Sequence, residues 1–152
     1  SVEARAEQFA KTHKDTPYHI LVGSGNCWGE TYYYAMCILE EMQWIKTRAV
    51  QANDFFHGTL ELIEDGVSVI LLKGEDETRP LMDRVEQFVK KYANVTNIFD
   101  TKDYALPGIS EQLRAYLSPV ILATLLERVS CHLEHQRNHP LSTRRYYRRV
   151  EY

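Results

Sequence analysis

The chain has 152 residues, enough for one domain with a sizeable core, and its 44% apolar and 26% charged residues are ordinary for a globular protein. A net charge of −3 supplies no dominant basic face, which argues against nucleic acid as a partner, and no apolar run approaches a membrane-spanning helix, which argues against a membrane. The three cysteines, Cys27, Cys37 and Cys131, are widely spaced in no metal-finger pattern and suit reduced thiols in the cytoplasm.

Residues 2–13 place Val2, Ala6, Phe9 and Ala10 on one helical face, and Pro17 ends that helix by removing a donor and restricting its predecessor. Residues 18–22, from Tyr18 to Val22, form a mostly apolar run that fits a strand covered on both faces. The turn Gly23-Ser24-Gly25 feeds a predicted helix over 28–46, with no glycine after Gly29 to weaken it. A weak second strand covers 47–52, and 58–64 reads as a short helix closed by Asp65-Gly66. The clearest strand is 67–72, held between Gly66 and Gly74. A polar loop over 73–80 precedes a helix over 81–92, with Leu81, Val85, Phe88 and Val89 on one face, and then a strand over 95–99. The last predicted helix spans 117–136 with Pro119 in its first turn, where proline is tolerated, and 138–152 reads as an extended tail.

Strands alternating with helices predict a single α/β domain over 1–152: a three-layer sandwich, flavodoxin-like, with a mainly parallel sheet flanked by helices. Ligands in such sheets bind at the carboxyl ends of strands, where Gly23-Ser24-Gly25 and Ala52-Asn53 fall. If the first two strands are parallel neighbours, both segments reach one edge.

The glycine turn is not a dinucleotide fingerprint, because Trp28 stands where the third glycine belongs. A tight turn that lets the helix approach the strand is the preferred reading. The backbone N–H groups of Gly23, Ser24, Gly25 and Asn26, at a helix start, are still available to an anion or a sugar oxygen. Glu40 and Glu41 each share a helical stripe with apolar residues, and an apolar setting raises a carboxyl toward the range of a general acid or base. Periodicity does not choose between them, and leaves open that both are solvated. His57, after Phe55 and Phe56 and before Gly58, is on its own a partly buried loop histidine. His132, His135 and His139, with Cys131 and Glu134, match no zinc spacing and read as a polar helix end, so no metal and no cofactor is expected. The tail arginines Arg144, Arg145, Arg148 and Arg149 are candidates for binding phosphate or a solvated end.

Together the Gly23-x-Gly25 turn, a helical Glu, and His57-Gly58 sixteen residues after Glu41 resemble the sugar isomerase (SIS) domain family over nearly the whole chain. The likeness is greatest to the branch that deglycates fructosamine 6-phosphates, through Trp28-Gly29, Phe55-Phe56-His57-Gly58 and the tail from His139 to Tyr147. The resemblance implies that Glu41 and His57 carry acid/base chemistry on a phosphorylated sugar-amine without a cofactor. Counting forward from Gly25 instead favours Glu40 by one residue. It further implies substrate binding at Gly23, Ser24, Gly25, Asn26 and Arg145, a homodimer or higher homo-oligomer, and a cytoplasmic enzyme. An aldose–ketose isomerase and a non-catalytic sugar-phosphate sensor are the alternatives within the family. Thr59 replaces the family's proline after His-Gly, and Arg145 stands where a related synthase has a lysine. The family's Ser/Thr-rich phosphate loop is not found in this sequence. The expectation is therefore the C-terminal half of a tandem two-SIS protein, with the phosphate loop in the other half.

Overall fold

The computed structural model describes residues 2–152. Four parallel strands, β1 (Tyr18–Gly23), β2 (Lys46–Gln51), β3 (Ser68–Lys73) and β4 (Val95–Asp100), lie in the order β2-β1-β3-β4. The register sets Tyr18 beside Lys46 and Gly23 beside Gln51, so the glycine turn and the residues after β2 do reach one edge. Five α-helices surround the sheet: α1 (Val2–His13), α2 (Trp28–Tyr33), α3 (Ala52–Phe55), α4 (Arg79–Tyr92) and α5 (Glu111–Arg137). Alternation along the strands sorts their side chains to two faces. Leu21, Ile70, Leu72 and Phe99 pack beneath α1, α2 and α5, while Ile20, Val22, Val69 and Leu71 pack against α3 and α4. Every residue of β3 is buried, as a strand covered on both sides requires. The three-layer α/β sandwich expected from the sequence is the fold found.

The chain leaves β1 toward β2 on one side and leaves β3 toward β4 on the other. The carboxyl ends of β1 and β3 therefore flank the switch point where open α/β sheets form a crevice.

Several boundaries differ from the expected ones. The helix predicted over 28–46 stops being α-helical after Tyr33 and continues as a π-helix, Tyr34–Glu40. There the amides of Glu41 and Gln43 reach five residues back, to Met36 (3.0 Å) and Ile38 (3.1 Å). The wider turn brings Tyr34, Ala35 and Leu39, four and five apart, into the core together. Trp44 ends the helix in the left-handed region at φ 56°, a rare setting for so bulky a residue. Lys46 already belongs to β2, and Ala52 opens α3 instead of closing the strand. The short helix expected over 58–64 is a single 3-10 turn, Thr59–Leu62.

The largest difference is α5, which begins at Glu111 and carries Pro119 inside the helix rather than in its first turn. Proline has no N–H to give the carbonyl four residues back, that of Ala115. Asn26 Nδ2 supplies the missing donor at 3.2 Å and so stitches α5 to the glycine turn. The tail is not extended. It folds in turns, with Thr143 N donating to Pro140 O and Arg149 N to Tyr146 O, both at 2.8 Å.

Candidate active site

A cavity of about 740 Å³ opens at the amino ends of β1 and β2. Tyr18 and Lys46–Thr47 form its floor, the end of the π-helix with Glu40, Glu41 and Trp44 forms one wall, and Arg144 to Tyr147 form the other. The tail is held there by three attachments. Leu141 N donates to Glu134 Oε1 (2.8 Å), Gln43 Nε2 donates to His139 O (2.8 Å), and Trp44 packs edge-on to His139 with ring centroids 4.7 Å apart.

The two neighbouring carboxylates have different partners. Glu40 is exposed, and its Oε1 accepts from Thr47 N (3.2 Å) and Thr47 Oγ1 (2.6 Å), which fixes the start of β2. Glu41 is half-buried, its side chain 32% exposed, and its Oε1 lies 3.0 Å from Arg144 Nε. Of the two settings the sequence left open, the structure has the more polar one: each carboxylate faces a polar partner at the rim of the cavity. Arg145 lines the same cavity and stacks over Trp44, 4.1 Å from guanidinium carbon to ring centroid.

His57 lies elsewhere. It is exposed in the turn after α3, its backbone N–H donates to Asp54 O (2.9 Å), and it is not among the residues around the cavity. One chain brings Glu41 and Arg145 together and leaves His57 apart.

Gly23, Ser24, Gly25 and Asn26 sit at the opposite edge of the sheet, one six-residue strand away, roughly 17 Å. Gly23 is required by packing: a Cβ there would lie 2.0 Å from Thr31 Oγ1 on α2, which is the close helix–strand approach read from the sequence. Gly25 adopts φ 50° and faces the Asp76 carboxylate, 2.4 Å from where its own Cβ would be. That carboxylate takes one of the donors expected to serve a ligand, the Asn26 N–H. Asn26 N lies 2.6 Å from Oδ2, Thr78 N lies 2.9 Å from Oδ1, and the Thr78 hydroxyl sits between Oδ1 (2.5 Å) and Ser24 Oγ (2.8 Å). The Asp76 carboxylate thus places an anion of the protein's own beside this turn. Behind it, Arg114 binds Glu75 at 2.6 and 2.8 Å and holds that carboxyl below its usual range, helped by Thr101. Arg79 likewise pairs with Asp100 across 2.5 Å.

Two buried histidines underlie the amino edge. His19, on β1, shares Nδ1 with Ser68 Oγ at 2.8 Å, and His13, on α1, shares Nε2 with Asn97 Oδ1 at 3.1 Å. Burial, with His13 and Arg137 nearby, pushes the His19 imidazole down to about 3. Glu30, half-buried on α2 outside the cavity, is pushed up by burial to about 7. The histidines near the end of α5 diverge: His132 Nε2 lies 2.7 Å from Glu3 Oε2, whereas His139 meets Trp44. Among the described residues no three potential metal ligands cluster.

Sequence reasoning had named Arg144 only as one of four tail arginines, and had passed over Trp44 as a wall and Asp76 entirely. Asp76 had a legible signal, since Asp-x-Thr after a strand is a side-chain-capped turn. The pairing of Arg144 with Glu41, more than a hundred residues apart, had none.

No family model matches the chain. Among curated proteins, fructosamine deglycase FrlB of Bacillus subtilis (strain 168) is 42% identical over 147 residues, which is 97% of this chain and 45% of that protein. Fructoselysine 6-phosphate deglycase of Escherichia coli O157:H7 is 28% identical over 145 residues, 95% of this chain and 41% of that protein. Among solved structures, a candidate phosphosugar isomerase of Bacillus subtilis superposes with a TM-score of 0.95 at 41% identity, covering 99% of this chain and 46% of its own. The chain spans a little under half the length of these relatives. In sequence and in fold, it belongs to the sugar isomerase (SIS) family.

Proposed function

We propose that this domain serves a deglycase that converts a fructosamine 6-phosphate, such as fructoselysine 6-phosphate, and water into glucose 6-phosphate and a free amine. The observation that carries the reading is the Glu41 carboxylate, half-buried and ion-paired at a cavity wall in a chain 42% identical to a fructosamine deglycase. Glu41 takes a proton from C1 of the open-chain ketoamine, giving an enaminol, and the proton returns at C2 to leave an imine at C1. Water adds to the imine carbon, the amine departs, and the aldehyde of glucose 6-phosphate remains. His57 opens the sugar ring and moves the proton at oxygen. Because His57 lies outside the Glu41 cavity of its own chain, the pair is assembled between two copies of the chain in a homodimer or higher oligomer.

A tandem arrangement in which the other half of the protein binds the phosphate is in keeping with the Asp76 carboxylate beside the glycine turn, which already takes the Asn26 N–H. Free thiols at Cys27, Cys37 and Cys131 accord with a reducing cytoplasm.

The test is glucose 6-phosphate release from fructoselysine 6-phosphate by the full-length protein, by its Glu41→Gln and His57→Asn variants, and by a mixture of the two. Each variant is expected to lose about 10²–10⁴ in rate, and the mixture to recover part of it. Near-normal turnover by Glu41→Gln defeats the reading. Turnover of fructose 6-phosphate but not of the glycated substrate would make the protein an aldose–ketose isomerase, the activity suggested by the description of the solved Bacillus subtilis relative.

A further inference from the structure

We propose that Arg144 is a positioning residue for Glu41: the folded tail carries it to the cavity wall to fix the direction in which the carboxylate presents its oxygens. The inference rests on Glu41 being the base.

Three observations carry it. First, the Arg144 guanidinium is used at both ends. Nε faces Glu41 Oε1 at 3.0 Å, while Nη1 donates to the carbonyls of Leu141 (2.6 Å) and Thr143 (2.8 Å). A cation anchored by backbone carbonyls is a fixed point, unlike a surface arginine that swings in solvent. Second, the Arg144 side chain is only 16% exposed although it belongs to a tail. Third, the backbone that carries it is tied to the fold independently of Glu41, through Leu141 N on Glu134 and His139 O on Gln43.

Glu41 follows directly on the π-helix, a feature frequent at functional sites, and its Oε1 is paired with Arg144. Glu40, one residue earlier, is already fixed by Thr47. With Oε1 on Arg144, the other oxygen of Glu41 is the one left to take the substrate's C1 proton at this cavity wall. A base misplaced by about 1 Å costs about 10²-fold in rate.

The experiment measures kcat and KM for glucose 6-phosphate release by the full-length protein and its Arg144→Gln, Arg144→Lys and Glu41→Gln variants. A substrate deuterated at C1 gives the isotope effect. Arg144→Gln is expected to lower kcat about 10²-fold with KM within about threefold, and to enlarge the isotope effect as proton abstraction becomes slower. Arg144→Lys restores the charge without the fork and is expected to recover only part of the loss. If Arg144→Gln raises KM with kcat unchanged, Arg144 binds substrate and the inference is overturned. It is also overturned if Arg144→Gln matches the native enzyme while Glu41→Gln is inactive. Should Glu41→Gln itself stay active, the inference falls with the base assignment, and that failure is told apart by the variant in which it occurs. Thermal melting of the Arg144 variants, expected to match the native protein, separates these outcomes from loss of fold.

Discussion

The two edges of the sheet are built from similar residue types and are opposite in state. At the carboxyl edge, acids meet donors from the chain itself: Asp76 on Asn26 and Thr78, Glu75 on Arg114, Asp100 on Arg79. These three carboxylates are each held by the chain itself, although the topological switch makes this edge the usual place for a ligand. At the amino edge, Glu41 faces a cavity whose second wall is the folded tail. The lesson is that topology says where a crevice forms, while the side chains decide whether it stays open.

The strongest way to break this contrast is to disable the carboxylates in turn. Glu41→Gln is expected to abolish most turnover, by about 10²–10⁴, whereas Asp76→Asn keeps kcat and instead lowers the melting temperature. The Asp76 change loses hydrogen bonds to a charged group, about 1.5–3 kcal/mol, read by denaturant unfolding. Comparable activity losses in both would erase the distinction between the edges.

Acid should find the amino edge first. His19 is depressed from 6.5 to about 3 in the folded protein, so the unfolded chain binds the extra proton. Stability is therefore full above about pH 6.5 and falls as pH drops toward 3, at up to about 1.4 kcal/mol per unit from this group. His13, lowered by burial despite its bond to Asn97, acts in the same direction. Unfolding free energies measured between pH 7 and 4 should show this slope, and His19→Gln should flatten it.

Packing at the carboxyl edge supplies a further comparison. Gly23→Ala forces a methyl group onto Thr31 and is expected to cost about 1–3 kcal/mol. The double variant with Thr31→Ala recovers part of that in a thermal melt. The smallest effect belongs to Glu40→Gln, which weakens the bonds to Thr47 for about 1 kcal/mol and leaves kcat nearly unchanged. A kcat collapse there would transfer the base from Glu41 to Glu40.

The fold was largely legible because burial writes itself into local runs. β3 announces its two covered faces, and the fully apolar face of Val85 and Val89 announces α4. The start of α5 was not legible, because Pro119 reads as a first-turn residue when nothing shows that Asn26 will satisfy the carbonyl it frees. Glu41 and Arg145, which the resemblance named, line one cavity together with Glu40. The approach of Asp76 to the glycine turn was not legible, since a carboxylate fifty residues away leaves no trace in the turn's own sequence. Neither count to the helical glutamate allowed for a change of helix type partway along.

That change of helix type has a consequence for chain length. A π-helix holds one more residue than the α-helix it replaces, so Tyr34–Glu40 absorbs an extra residue while Tyr34 and Leu39 both stay in the core. Removing one residue from the exposed part of this segment, such as Met36, is expected to close the wide turn to an ordinary α-helical one and to leave the chain after it in register. The segment is where this scaffold can gain or lose a residue without moving the strand that follows.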